Sequence, residues 1–421
     1  MMHARQLLVL ALGALVLASG IAFGQDAEVA PEKKRVVVPV APEQEQARKR
    51  ESESAEDPLQ KRQAEKVDQP DEWSDEPSGY DLYGSARLLY RKAGGETVLG
   101  DGGSRIGVNA TWQYRPQSWL FARVEAGFNL LDALDAVFHP GSRADDESDA
   151  LLFSRLYYVG WETPDQIATV GKNWSTYYQV TGFTDLFDST GGSASGTYNA
   201  QTDGGPTGTG RADSVLQTRV TVDWFPESLH VKPFDMNVQV QYGRGIPQVV
   251  DAKYGLTLGL SAVFKTREDM EAGFAYNFAD VRNERNPALA AAGIRGDAQA
   301  LAFGVRQIRD RWYLATTLTR LLNHETTDQA RYFNGWGWEV YGRYRLFGKF
   351  WAVGGWNWLK PDSGQPLVGQ YRTKYGVVGL RYSIKEFQRL VFLEARLDTS
   401  RETDGSMVGN SVAFGVRWNF D

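Results

Sequence analysis

The chain has no cysteine, only four histidines in 421 residues, and no long apolar stretch beyond its first two dozen residues. Each absence removes a class of protein. Without cysteine there is neither a disulfide framework nor a lipoprotein attachment residue. After the opening run from Leu7 to about Phe23, no segment of roughly 18 apolar residues occurs, which excludes a helical membrane protein. His3 falls in that opening run's cationic flank, and His139, His230 and His324 fall in or near expected loops. No nucleophile elbow or metal-ligand pair accompanies them, so the sequence predicts neither an enzyme nor a metal site nor a cofactor. Charge of either sign is also missing in excess. Ten of the 46 basic and 15 of the 52 acidic residues lie in 1–79, leaving 36 and 37 beyond. With no basic stripe, nucleic acid is excluded as a partner.

What is present falls into three parts. Met1 to Gln6 is short and cationic, and the apolar run ends in small residues near Gly24. This predicts a signal peptide over 1–24 and export from the cytoplasm. Residues 25–79 are Glu, Lys, Arg, Gln, Ala and Pro with almost no aromatics, a composition that buries too little apolar surface to offset its ordering entropy. They read as a flexible polar periplasmic leader. From residue 80 the texture changes, and 50 of the 52 aromatics lie there.

In 80–421, short β-rich runs alternate apolar with polar. Val412, Phe414, Val416, Trp418 and Phe420 share one face of a strand, while Ala413, Gly415, Arg417 and Asn419 share the other. Ile106, Val108, Ala110, Trp112 and Tyr114 repeat the pattern opposite Arg105, Gly107, Asn109, Thr111 and Gln113. So do Leu120, Val124 and Phe128 opposite Phe121, Arg123 and Glu125. About 16 such runs are separated alternately by tight turns and by long connections, including 92–102, 132–149, 173–213 and 322–333. The fold class that follows is all-β, a transmembrane antiparallel β-barrel, greasy outside and polar inside. A charge on the lipid face near mid-bilayer costs about 2–4 kcal/mol, which assigns Arg105, Arg123 and Glu125 to the lumen. Tyr90, Trp112, Tyr114, Trp119 and Trp224 suit interfacial girdles.

The connection from about 173 to 213 exceeds any ordinary hairpin. It opens with Trp174, Tyr177, Tyr178 and Phe183 and then turns to small residues through Gly191-Gly192-Ser193-Ala194-Ser195-Gly196. An aromatic half that packs and a small half that folds back predict a loop bent into the lumen.

Tyr80-Asp81-Leu82-Tyr83-Gly84, Ser154-Arg155-Leu156, and above all Gly171-Lys172-Asn173-Trp174 running to Gly182-Phe183-Thr184-Asp185 and Gly191-Gly192 carry a family likeness. Over roughly 80–421 the chain resembles the general porins, the trimeric 16-stranded diffusion channels of Gram-negative outer membranes. The resemblance implies a constriction loop whose acid is Asp185. The family's second carboxylate position holds Ser189, with Asp188 beside it. The facing arginine ladder falls on Arg105, Arg155 and Arg219, and the wall carboxylate on Glu125. A basic position on the first strand is Ser85, with Arg87 on the same face two residues later. The resemblance implies a homotrimer among lipid and lipopolysaccharide that passes small hydrophilic solutes and ions. Two rival readings stay open. One is a substrate-specific channel, for phosphate or for sugar with an aromatic slide of Phe121, Tyr157 and Trp161. The other is an outer-membrane anchor touching the cell wall through 25–79.

Overall fold

The computed structural model describes residues 78–138, 152–223, 228, 233–265, 269–282, 285–385 and 388–420. The signal peptide and nearly all of the leader expected at the N-terminus, together with His139, Trp224 and His230, lie outside these residues.

The strands are β1 (Gly79–Ala93), β2 (Glu96–Asp101), β3 (Ser104–Arg115), β4 (Ser118–Phe128), β5 (Leu152–Thr163), β6 (Gln166–Trp174), β7 (Arg211–Val222), β8 (Phe234–Tyr242) and β9 (Tyr254–Lys265). Then follow β10 (Met270–Val281), β11 (Ala298–Arg309), β12 (Trp312–Thr326), β13 (Tyr332–Phe347), β14 (Phe350–Pro361), β15 (Thr373–Lys385), β16 (Arg389–Asp398) and β17 (Ser411–Phe420). All 17 form one antiparallel sheet, closed by β1 against β17. β2 and β3 share a stave, because both pair with β1 on either side of Gly102-Gly103. The barrel therefore has 16 staves, the number expected. Among the described residues three short helices interrupt the connections: α1 (Leu130–Phe138), α2 (Tyr178–Thr181) and α3 (Pro287–Ala292).

The outer wall is apolar as read from the alternation. Ile106, Val108, Trp112, Val124, Phe414 and Trp418 are all exposed, whereas Glu125 and Ala413 are buried inside. The packed core is displaced from its usual place. Instead of lying between two sheets, it lies between the wall and the connection after β6: Tyr177, Val180, Phe183 and Phe187 meet Tyr313, Phe333 and Tyr341.

Several boundaries and facings depart from the sequence reading. The stretch 92–102 is no loop but a hairpin, β1 turning into β2 at Gly94-Gly95, where both φ angles are positive. The 322–333 connection is mostly strand, and His324 sits in β12, buried, with Nε2 2.7 Å from the Gly196 carbonyl. Polar residues there suggest a loop because their partners lie far away in sequence. β4 stops at Phe128, and Asn129 Oδ1 accepts the Leu131 N–H at 3.0 Å, capping α1.

One bulge explains two misplaced aromatics in β5. Glu125 pairs with Leu156 and Ala126 with Ser154, so Arg155 is an extra residue and parity flips beyond it. Tyr157 therefore points outward, and Trp161 joins it, donating its indole N–H to the Tyr114 hydroxyl at 2.6 Å. Of the aromatic slide, only Phe121 is left inside. Trp119 shares Phe121's parity and is buried inside, not in a girdle.

Candidate functional site

After β6 the chain leaves the wall and stays within the barrel until β7. Backbone groups of this inserted segment are received by inward side chains around the wall, on β8, β13 and β16. Thr176 N–H donates to Gln239 Oε1 at 2.8 Å, and Gln239 Nε2 donates to the Gly208 carbonyl at 2.6 Å. Two carboxylates grip it like helix-capping acids. Glu339 of β13 accepts from Ala194 N–H (2.7 Å), Ser195 N–H (3.0 Å) and Thr184 Oγ1 (2.7 Å). Glu394 of β16 accepts from Asp188 N–H, Ser189 N–H and Ser189 Oγ at 2.8–2.9 Å. The seat is made of glycine. A Cβ on Gly337 would overlap the Ala194 carbonyl, and one on Gly355 would overlap the Phe187 ring. The aromatic half packs as its composition suggests, with Trp174 stacked on Tyr178 at 4.0 Å between centroids.

The two acids expected on this segment have different surroundings. Asp185 accepts from Tyr178 (3.0 Å) and Tyr198 (2.8 Å) hydroxyls. Asp188 is buried in an ion-pair knot with Arg381 and with Arg417, the latter at 3.2 Å. Arg381 also donates to the Leu186 carbonyl at 2.6 Å and to the Tyr341 hydroxyl at 2.9 Å. Ser189 is held by Glu394 and, through its carbonyl, by Arg91 at 2.9 Å.

On the near wall, basic residues converge on Glu125. Arg155 Nε donates to it at 2.6 Å, an approach the β5 bulge makes available, and Arg105 lies 3.7 Å away. Arg123 donates to the Tyr83 hydroxyl at 2.7 Å, and Tyr83 donates on to Glu125 at 3.1 Å. Arg87 donates to buried Ser85, which is itself bonded to Asn419, and is in register with Arg417. Arg87, Arg105, Arg155, Arg123 and Glu125 thus occupy neighbouring staves from β1 to β5. Arg219 does not join them. It is in register with Ile167 and Asn237, and the line of pairs through Glu162 and Trp119 reaches β3 at Gln113, far along from Arg105.

A second charged group holds the root of the segment. Lys172 bridges Asp203 (2.8 Å) and Asp213 (2.5 Å), and Arg211 reaches Asp203 at 3.2 Å. Burial opposes ionisation of Asp203, but Lys172, Arg211 and the Gly205 N–H outweigh it and hold its pKa below the usual aspartate value. Glu339, Glu394, Arg381, Arg417, Lys172 and Asp203 were not singled out from sequence. Glu339, Glu394, Arg381 and Arg417 sit at inward positions, so alternation alone places them in the lumen, whereas Lys172 shares the parity of outward Val170 and is in register with outward Tyr157. Their pairing with a segment that for Glu394 and Arg417 lies more than 200 residues away carries no local signal. Among the described residues, no cluster of three or more histidines and carboxylates could hold a metal ion.

No protein-family model matches the chain, and none of the curated proteins does. Solved structures do. OmpF of Salmonella typhi, in complex with daunomycin, superposes with a TM-score of 0.66 at 18% identity, over 82% of this chain and 98% of that one. The outer membrane channel DcaP of Acinetobacter baumannii gives 0.58 at 12% identity, over 82% and 99%. OmpT of Vibrio cholerae, an outer membrane protein in trimer form, gives 0.54 at 15% identity, over 82% and 100%. The closed 16-stave barrel is thus the porin fold, and the fold of the general porins in particular.

Proposed function

We propose that this protein is an outer-membrane porin, a water-filled channel through which small polar solutes and ions diffuse passively. The observation that carries the reading is the pairing of an apolar exterior with a charged interior that an inserted segment crosses. A soluble barrel has no use for exposed Val124 and Phe414. In this reading the segment at 173–213 is the constriction loop, and Arg105, Arg155, Arg123 and Arg87 with Glu125 form the wall it faces. Asp188 is the acid that locks the loop, through Arg381 and Arg417, and Asp185 is the acid left for the slot. Arg219 lines the lumen away from the narrowest point.

Opposed charges about 8 Å apart interact by roughly 0.5 kcal/mol in bulk water and about 2 kcal/mol at an effective dielectric of 20. Such a transverse field orients dipolar solutes and orders water without holding either tightly. Arginine keeps its charge at any working pH, so the field persists. In this reading the protein is a homotrimer, exported by the N-terminal signal and seated among lipid and lipopolysaccharide.

Reconstituted in planar bilayers, the purified protein is expected to form stable trimers with large, weakly selective conductance; a non-conducting monomer would refute the proposal. The double variant Arg105→Ala with Arg155→Ala is expected to shift reversal potentials toward cations. Unchanged potentials would remove these two side chains from the constriction.

A further inference from the structure

A cavity of about 410 Å³ opens beside the inserted segment at the mouth formed by the long connections. Its wall includes Arg372 and Arg401, which face each other across an isolated antiparallel bridge. Arg372 N–H donates to the Arg401 carbonyl at 3.0 Å and Arg401 N–H to the Arg372 carbonyl at 2.9 Å. A reciprocally bonded pair puts both side chains on one face, Cα atoms about 5.5 Å apart, and like charges so placed destabilise the pairing. Ordinarily a carboxylate would lie between them. Among the described residues none does: Arg401 reaches the Gln370 amide oxygen, at 3.0 Å, and the buried Arg372 Nε has no hydrogen-bond partner among them. The third guanidinium, Arg396, is already committed to Asp398 and stacked over the Tyr375 ring at 3.8 Å.

The cavity's acids do not fill the gap. Asp328 is turned to the next loop, accepting from Thr403 N–H (2.9 Å) and Oγ1 (2.5 Å), and Glu325 accepts from Thr326 N–H. Two unneutralised guanidiniums beside a cavity ask for an oxyanion. The remaining lining answers a hydroxylated body: the Tyr371 ring for a sugar face, and Thr373, Ser400 and Glu402 for its hydroxyls. The volume lies in the range of small-molecule sites.

We infer that this vestibule cavity is a binding subsite for small hydroxylated oxyanions, sugar acids or sugar phosphates, held by Arg372 and Arg401 before they enter the channel. The inference rests on the porin reading, and it names the solute class that reading leaves open. The test uses glucuronate, glucose 6-phosphate and glucose, three solutes sharing a ring and differing in the anionic group. Solute-induced current noise is measured on single channels at about 0.1 M salt, and binding is measured by calorimetry on the detergent-solubilised protein.

Both anions are expected to block and bind, and glucose is expected to do so at least tenfold more weakly. A clear preference between the two anions identifies whether carboxylate or phosphate is the natural group. Arg372→Gln and Arg401→Gln should each weaken binding about tenfold, the loss of one charge-assisted hydrogen bond, with open-channel conductance unchanged. Glu402→Gln, which removes a like charge, should tighten it. Equal behaviour of glucose and its anions, or full block in both arginine variants, overturns the inference while leaving the channel standing. Binding to a protein that does not conduct would spare the subsite and refute the porin reading.

Discussion

Among single residues, the one whose loss should be felt most is Arg381. Its guanidinium serves Asp188, Glu394, the Tyr341 hydroxyl and the Leu186 carbonyl at once, and it is buried with Asp188 between the inserted segment and β15. Removing one partner of a buried pair costs about 3–5 kcal/mol because the other charge is left uncompensated. Arg417 remains beside Asp188, so the lower end applies. Arg381→Met should lower unfolding stability in detergent by about 3 kcal/mol and make single-channel current noisier. Denaturant titration and current recordings check both. The same residue shows what sequence reading reaches. Alternation in β15 assigns Arg381 to the lumen, but nothing near it in the chain announces Asp188, almost 200 positions earlier.

At the level of elements, the inserted segment behaves as part of the wall. Its aromatic half fills the lumen-side core, its backbone is received by Glu339 and Glu394, and inward glycines such as Gly337 and Gly355 clear its path. Its root depends on ionised Asp203. Because the folded pKa is depressed, the stabilisation is present above the ordinary aspartate value and is lost as pH falls through the lower, folded value. Protection of 198–212 against hydrogen exchange, taken relative to the intrinsic rate at each pH, should therefore persist through mildly acidic pH and fall only below pH about 4. In Asp203→Asn that protection should be low at neutral pH and change little on acidification. β5 makes the complementary point. Its alternation is readable, but the bulge at Arg155 is not, since an extra residue leaves composition and hydropathy unchanged while reversing every later side chain.

For the whole molecule, the porin reading makes stability depend on two solvents meeting across one sheet. Val124 is 58% exposed on the outer wall of β4, and Asn109, its near neighbour across β3, faces the interior. Val124→Arg should lower folding stability in lipid vesicles by about 2–4 kcal/mol, as expected for a charge at mid-bilayer. Asn109→Arg should cost under about 1 kcal/mol. Urea titration in vesicles reads both, and equal costs would mean that the outer wall does not meet hydrocarbon.

By itself, the sequence determined the all-β class, the 16 staves, the approximate place of each, and which face of most strands is apolar. Those are local properties: side chains alternate at every residue, and turns carry their own residue types. It also determined that the connection after β6 has to go somewhere other than solvent. Only the tertiary structure decided which charges meet. Closure of the sheet brings β1 to β17, and the inserted segment crosses to staves remote in sequence. That is how Asp188 came to lock the segment, Arg219 to stand apart from Arg105 and Arg155, and Arg372 to face Arg401. Electrostatic partners are set by distance through space, and a chain folded into a ring makes distance in sequence a poor guide to it.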